Sequence, residues 1–120
     1  MSFDWKEYIN LAKDLTLKSN PNQAELRTAT SRIYYGAFGQ CKISKNFQLV
    51  RGSDIHERVI KSYKESEVSI EISIGNLLDN LRQRRNEADY DAFIEFDKQK
   101  VQGYLFTANT ILEKLESNRE

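Results

Sequence analysis

The stretch IGNLLDNLRQRRNEADY, residues 74–90, combines the two patterns that decide how this sequence is interpreted. Its first half carries apolar residues at helical spacing: Ile74, Leu77, Leu78 and Leu81. Because residues three and four positions apart share one face of a helix, this half predicts a helix anchored in a core. The second half adds three arginines at the end of that rigid element, and arginine has the planar fork of donors that suits phosphate. The alternative is that Arg85 and Asp89, four positions apart, form an ordinary ion pair on a solvated helix surface.

Helical periodicity also dominates the sequence on both sides of this stretch. A first predicted helix follows an Asp4 cap and carries Trp5, Tyr8, Ile9, Ala12 and Leu15, and a second runs from Asn20 to about Ile43. A third follows an Asp54 cap and carries Ile55, Val59, Ile60 and Tyr63. A fourth covers about residues 71–88, and a fifth runs from an Asp97 cap to about Ser117. In the second helix, Asn20 is the expected cap, Pro21 the first residue, and Gln23 the partner in a capping box. Residues 68–74 alternate with period two, but no partner strand is predicted, so we expect a loop leading into the fourth helix. The sequence therefore predicts an all-α fold, an up-and-down bundle of four to five helices forming a single domain over residues 1–120.

Composition restricts the classes of function. The 120 residues include 18 basic and 18 acidic side chains, so the formal net charge is zero and any polyanion must bind at a local cluster. There is one cysteine, Cys41, and one histidine, His56, so sites built from several such ligands are excluded within one chain, and no metal or cofactor is expected. The first residues lack the features of a secretion signal, and no apolar run approaches a membrane span. We therefore expect a cytoplasmic protein without membrane association.

The predicted second helix contains an unusual aromatic and glycine-rich segment, residues 31–39. Gly36 and Gly39 each lower helix propensity by about 1 kcal/mol relative to alanine. Their small size predicts the close approach of another helix or of a second subunit. For the neighbouring Tyr34 and Tyr35, the simpler interpretation is aromatic packing in the core.

Taken together and in order, these features resemble the HEPN family (higher eukaryotes and prokaryotes nucleotide-binding). The matching elements are the Trp-x-x-Tyr of residues 5–8, the Ser-Arg-x-Tyr-Tyr-x-x-Phe of residues 31–38, His56 after a variable loop, the Leu-x-x-x-Arg-Asn-x-Ala-Asp-Tyr-Asp of residues 81–91, and the last amphipathic helix over residues 97–117. The resemblance spans nearly the whole chain. It implies a helical bundle that forms a homodimer or pairs with another HEPN unit.

The resemblance also assigns candidate site residues. Active members are metal-independent endoribonucleases, often toxins or defence effectors, with an arginine, a polar residue and then a histidine. These positions fall on Arg85, Asn86 and Tyr90, which are the candidate catalytic residues, with tyrosine in place of the motif histidine. Arg82, Arg84 and Asp89 are candidates for substrate binding, and the candidate dimer or core motif consists of Arg32, Tyr34, Tyr35, Gly36 and Phe38.

The tyrosine at position 90 affects the predicted mechanism. In the active pattern, the 2′-hydroxyl of RNA attacks its own phosphodiester, which requires proton transfer near neutral pH. Histidine, with an ordinary pKa of about 6.5, is suited to this proton transfer. Tyrosine has an ordinary pKa of about 10 and is therefore a poor base at neutral pH. Losing acid–base catalysis typically costs about 10²–10⁴ in rate. Moreover, five positions on a regular helix rotate by about 140°, so Arg85 and Tyr90 of one subunit should not converge.

Three hypotheses follow from the sequence. The first is a weakly active or non-catalytic HEPN module of a defence or toxin–antitoxin type system, which binds RNA, a nucleotide or a partner protein. The second is an active metal-independent endoribonuclease toxin with Arg85 at its centre, assisted by Tyr90, Asp89 or His56. The third is a purely structural helical subunit. A nucleotidyltransferase-type partner, which in such systems modifies HEPN tyrosines near the motif, is a further expectation.

Overall fold

The computed structural model describes residues 2–119, and within them it contains five helices and no strand. The helices are α1 (Lys6–Thr16), α2 (Gln23–Ser44), α3 (Ile55–Lys64), α4 (Ser69–Tyr90) and α5 (Lys98–Asn118). This confirms the predicted all-α bundle. Within the described residues, no helix combines the length and apolar character needed to cross a membrane.

Helix α2 lies at the centre of the bundle and packs against each of the other four helices. It begins at a capping box in which the Asn22 side chain accepts from the Glu25 N–H at 2.8 Å, and the Glu25 carboxylate accepts from the Asn22 N–H at 3.0 Å. The prediction of Asn20 as the cap and Gln23 as its partner was therefore wrong by two residues. Asn22 and Glu25 have the same spacing, and they satisfy two N–H groups of the first turn that would otherwise lack partners.

The two glycines of α2 allow α1 to cross it closely. A Cβ on Gly36 would lie 2.6 Å from Cγ1 of Ile9, and a Cβ on Gly39 would clash with the indole ring of Trp5. The close approach predicted from these glycines is therefore made by the chain's own first helix. Both glycines are buried in this contact within the chain.

The start of α4 differs from the prediction for residues 68–74. These residues do not form a loop, because the helix already begins at Ser69. Contacts from distant elements hold this first turn: the Glu71 carboxylate pairs with Lys45 at 2.8 Å and accepts from the Asn118 amide at 2.9 Å. These bonds, with that from Lys45 the largest cause, lower the pKa of Glu71 to about 2. Tertiary contacts thus override a local period-two pattern.

The other predicted caps have mixed outcomes. Asp97 caps α5 by accepting from the Lys100 N–H at 2.7 Å, as expected. Asp54 precedes α3 but makes no side-chain cap bond. Asp4 lies one residue before the N-cap of α1, Trp5, and its carboxylate accepts from the Lys6 N–H at 3.0 Å.

Residues of α2 also fix the segment between α4 and α5. The Gln23 side-chain amide donates to the Phe96 carbonyl at 2.6 Å and accepts from the Phe96 N–H at 3.0 Å. The Arg27 guanidinium donates to the Ala88 carbonyl at 3.0 Å and to the Ile94 carbonyl. The C-terminal end of α4, which carries the arginine cluster, is therefore held in place by side chains of α2.

A pair of glycine substitutions tests the crossing of α1 over α2. Gly39→Ala should lower the free energy of unfolding by about 1–3 kcal/mol, because the added methyl group forces the Trp5 ring to move. Gly103→Ala, on α5, has nothing within 4 Å of the new Cβ and should raise it by about 0.5–1 kcal/mol through helix propensity. Urea denaturation of both variants measures the difference. Equal effects of the two substitutions would contradict the close crossing.

Candidate functional site

Arg85 is a buried cation next to two tyrosine rings. Its side chain lies on the face of α4 that packs against α2, and the residue is 8% exposed. The centre of its guanidinium lies 5.5 Å from the ring centroid of Tyr34 and 5.2 Å from that of Tyr35. Such cation–π contacts offset part of the desolvation of the guanidinium, which explains how the bundle can hold a charge at this depth.

The hydrogen-bonding capacity of Arg85 is only partly used. Its Nε atom is buried and has no hydrogen-bond partner among the described residues. The nearest carboxylate is that of Asp89, with Nη1 and Oδ2 3.9 Å apart, which is too long for a hydrogen bond. The same Oδ2 atom of Asp89 accepts a hydrogen bond from the Ser31 hydroxyl at 3.4 Å. Arg85 is therefore a charged group with donors that the chain itself does not fully satisfy.

His56, on α3, completes this cluster. Its Nδ1 atom lies 2.6 Å from the hydroxyl of the fully buried Tyr34. Its ring stacks on Phe38, with centroids 4.3 Å apart and an interplanar angle of 18°. The stacking and the hydrogen bond together fix the orientation of the imidazole. We name the group Tyr34, Tyr35, His56, Arg82, Arg85 and Asp89 the arginine–histidine cluster.

Burial, with a smaller contribution from the nearby cations, sets the protonation of this cluster. Burial, followed by the charges of Arg85, Arg82 and Lys42, lowers the pKa of His56 to about 4. Burial raises the pKa of the Tyr34 hydroxyl well above its ordinary value. At neutral pH, His56 is therefore uncharged and Tyr34 keeps its proton. The cluster holds its positive charge on the arginines alone.

The structure brings together only some of the predicted site residues. Arg82 and Arg85 both act on His56 and Tyr34 through their charge, and Asp89 lies beside Arg85. Arg84 points elsewhere: it pairs with Glu87 at 3.2 Å, and its charge acts on Tyr104 of α5. Asn86 is exposed and Tyr90 is 78% exposed. Since Tyr90 is five positions from Arg85 on a continuous helix, the two side chains leave α4 in different directions, as the helical rotation predicts.

The aromatic motif of α2 supports the cluster from within the chain. Tyr34, Gly36 and Phe38 are buried in the core, which agrees with the core interpretation of this motif. The Arg32 guanidinium lies over the ring of Tyr8 at 4.7 Å and over that of Tyr35 at 4.9 Å. The motif therefore links α1, α2 and α4 in one packed unit.

His56 is the residue whose place the sequence least predicted. Its sequence separation from Tyr34 is 22 residues, and no local motif surrounds it. The signals in the sequence are that it is the only histidine of the chain and that it follows the variable loop, as in the HEPN pattern, but neither predicts its contact with Tyr34. Its ring lies against Tyr34 and Tyr35, the two rings that Arg85 also contacts, so the chain has an imidazole near Arg85 although the motif position 90 lacks one.

The chain is similar in sequence to an archaeal protein. The chain is 30% identical over 119 residues, covering 82% of this chain and 67% of the relative, to an uncharacterized protein of Methanocaldococcus jannaschii, MJ0992. No protein-family profile matches the chain. No solved structure matches it either.

The neutral state of His56 predicts a pH-dependent stability. Its folded pKa of about 4 lies below the unfolded value of about 6.5, so the unfolded chain binds this proton first as the pH falls. The free energy of unfolding should therefore decrease between about pH 6.5 and about pH 4, by about 1–2 kcal/mol once the partial exposure of the ring is taken into account.

Urea denaturation of the wild type and of His56→Gln across this pH range measures the effect. The difference between the two curves isolates His56 from carboxylates such as Glu71, whose contribution is lost at lower pH. Parallel curves would show that the imidazole is not held neutral by the fold.

Proposed function

We propose that this chain, which belongs to the same family as the Methanocaldococcus jannaschii protein, is a HEPN-type module that binds a phosphate group of RNA or of a nucleotide at Arg85. The observation that carries the proposal is the burial of Arg85 beside Tyr34 and Tyr35, with its Nη1 3.9 Å from the Asp89 carboxylate and therefore not hydrogen-bonded to it. Ribonuclease activity is expected to be weak or absent, because Tyr90 replaces the motif histidine and lies on a different side of α4 from Arg85.

The distribution of charge favours an anionic ligand at this place. The whole chain has no net charge, so long-range attraction of a polyanion is absent. Within the cluster, Arg82 and Arg85 lie three residues apart on one face of α4. The carboxylate of Asp89 neutralises Arg85 only weakly, because the two groups are 3.9 Å apart and not hydrogen-bonded. The oxygens of a phosphate, like those of a carboxylate, match the guanidinium fork in two parallel hydrogen bonds.

The expected contribution of Arg85 to folding stability distinguishes a role in binding from a structural role. A buried charge without full hydrogen bonding destabilises a fold, and its replacement by an apolar side chain of similar volume is often neutral or stabilising. We therefore expect the fold to be less stable with Arg85 than with Leu or Met at this position. A residue kept despite such a cost supports a role in binding.

Replacing Arg85 by methionine tests this separation. Arg85→Met should leave the free energy of unfolding unchanged or raise it by about 1 kcal/mol, because the unsatisfied charge is removed while the side-chain volume is kept. The same variant should lose phosphate and RNA binding. Denaturation and binding titrations on one preparation measure both quantities. A loss of several kcal/mol would indicate that Arg85 is there to hold the bundle together.

A second candidate function is a metal-independent endoribonuclease, and one observation favours it. His56 places an imidazole in the same cluster as Arg85, so a proton-transfer group is present although Tyr90 is not one. In such an enzyme, Arg85 would stabilise charge developing on the phosphate, and His56 would exchange the proton.

The biological setting follows from the resemblance alone and is proposed with it. It is a prokaryotic defence or toxin–antitoxin type system in the cytoplasm, in which the chain forms a homodimer or pairs with another HEPN unit. A nucleotidyltransferase-type partner would reach Tyr90 readily, since that side chain is 78% exposed.

An RNA assay in EDTA distinguishes the two functions. Purified protein is incubated with labelled RNA, and binding and cleavage are measured for the wild type, Arg85→Ala and Arg84→Ala. The first function predicts binding without cleavage, about tenfold or more weaker in Arg85→Ala. Arg84→Ala serves as the matched comparison, because Arg84 pairs with Glu87 away from the cluster, and it should weaken binding much less.

Each function can fail separately in this assay. Cleavage in EDTA that Arg85→Ala abolishes would establish the endoribonuclease and overturn the non-catalytic assignment. Absence of binding and cleavage, or equal losses in the two arginine variants, would overturn both.

A further inference from the structure

The hydrogen bond between Tyr34 and His56 determines which ring nitrogen of the neutral imidazole carries the proton. The Tyr34 hydroxyl is fully buried and lies 2.6 Å from Nδ1 of His56. A buried hydroxyl needs an acceptor for its proton, and the neutral imidazole offers one unprotonated nitrogen. With Nδ1 as the acceptor, the ring proton is on Nε2. His56 then presents a hydrogen-bond donor on the side away from Tyr34.

We propose that His56 donates its Nε2–H to the same phosphate group that Arg85 binds, with Tyr34 as the positioning residue that selects this tautomer. The proposal rests on the proposed phosphate binding and names two further residues of that site. It makes the site a set of donors from two helices, with Arg82 and Arg85 from α4 and the imidazole from α3.

The surroundings of His56 favour a donor to an anion. The charged and titratable groups that act on it are Arg82 and Arg85 from α4 and Tyr34 and Lys42 from α2. Burial is the main reason that His56 is neutral in the free protein, and the three cations add to it because a further positive charge beside them is unfavourable. A bound phosphate reverses this balance, since an anion beside the ring favours the imidazolium. Ligand binding should therefore raise the pKa of His56 above its value of about 4 in the free protein.

Nuclear magnetic resonance of the ring nitrogens tests the proposal directly. His56 is the only histidine, so a protein labelled with ¹⁵N-histidine gives signals from this ring alone. The full chain is titrated with inorganic phosphate and, separately, with a hexauridylate whose phosphodiesters keep one negative charge each. In the free protein near neutral pH, the proposal predicts a protonated Nε2 and an unprotonated Nδ1. Either probe should shift the Nε2 signal saturably and raise the ring's pKa, and the probe with the lower Kd identifies the source of the phosphate.

Two matched variants separate the donor from the packing of the ring. His56→Phe keeps an aromatic ring on Phe38 but lacks a donor, whereas the amide of His56→Gln can donate from about the position of Nε2. Binding of hexauridylate should weaken about tenfold or more in His56→Phe and less in His56→Gln. Tyr34→Phe keeps the tyrosine ring's packing, and it should convert the free imidazole to a mixture of tautomers and weaken binding to a smaller extent.

The outcomes distinguish this inference from the proposed function. Binding that depends on Arg85 but leaves the His56 signals and pKa unchanged would overturn the role of His56 and leave the phosphate site standing. A proton on Nδ1 in the free protein would overturn the role of Tyr34. Failure of both probes to bind would overturn the phosphate site itself, and the inference with it.

Discussion

The central position of α2 is the constraint on which the rest of the structure depends. Two glycines on one side of this helix let Ile9 and Trp5 of α1 approach its backbone, while the opposite side presents Tyr34 to α3 and α4. Because a single rigid helix makes these contacts, the core and the candidate site are parts of one packed unit. A change in the crossing of α1 over α2 would be transmitted to the cluster through the residues of α2 itself.

The electrostatics of the cluster follow from its depth. Burial and the nearby arginines lower the pKa of the imidazole of His56, and the buried Tyr34 hydroxyl is placed to donate a hydrogen bond to the neutral ring. In the free protein, the positive charge of the cluster is thus on arginines, which do not lose their protons, while His56 is neutral. An arrangement of this kind gains most from an anionic ligand, because the ligand supplies the negative charge that Asp89, 3.9 Å from Arg85, provides only in part.

The sequence predicts the fold well where local signals and tertiary packing agree. The apolar spacing from Ile74 to Leu81 in α4 and the Asp97 cap of α5 lead directly to the observed helices. The start of α4 was mispredicted, because salt-bridge and amide contacts to Glu71 come from residues far along the chain and leave no local pattern. The candidate site was predicted in part: Arg85 follows from the motif, whereas the contact of His56 with Tyr34 depends on how α3 packs, which periodicity does not specify. The low helix propensity of the glycines indicated a close contact, and only the structure shows that α1 makes it.

The most direct test of the central claim follows the arginine Nε–H groups by NMR during a titration with inorganic phosphate. The three arginines of residues 82–85 provide an internal comparison, because Arg85 and Arg82 belong to the cluster and Arg84 pairs with Glu87. The account predicts a saturable shift of the Arg85 signal, a smaller shift for Arg82 and none for Arg84. A signal of Arg85 that stays unchanged while phosphate binds elsewhere, or equal shifts of all three, would contradict it.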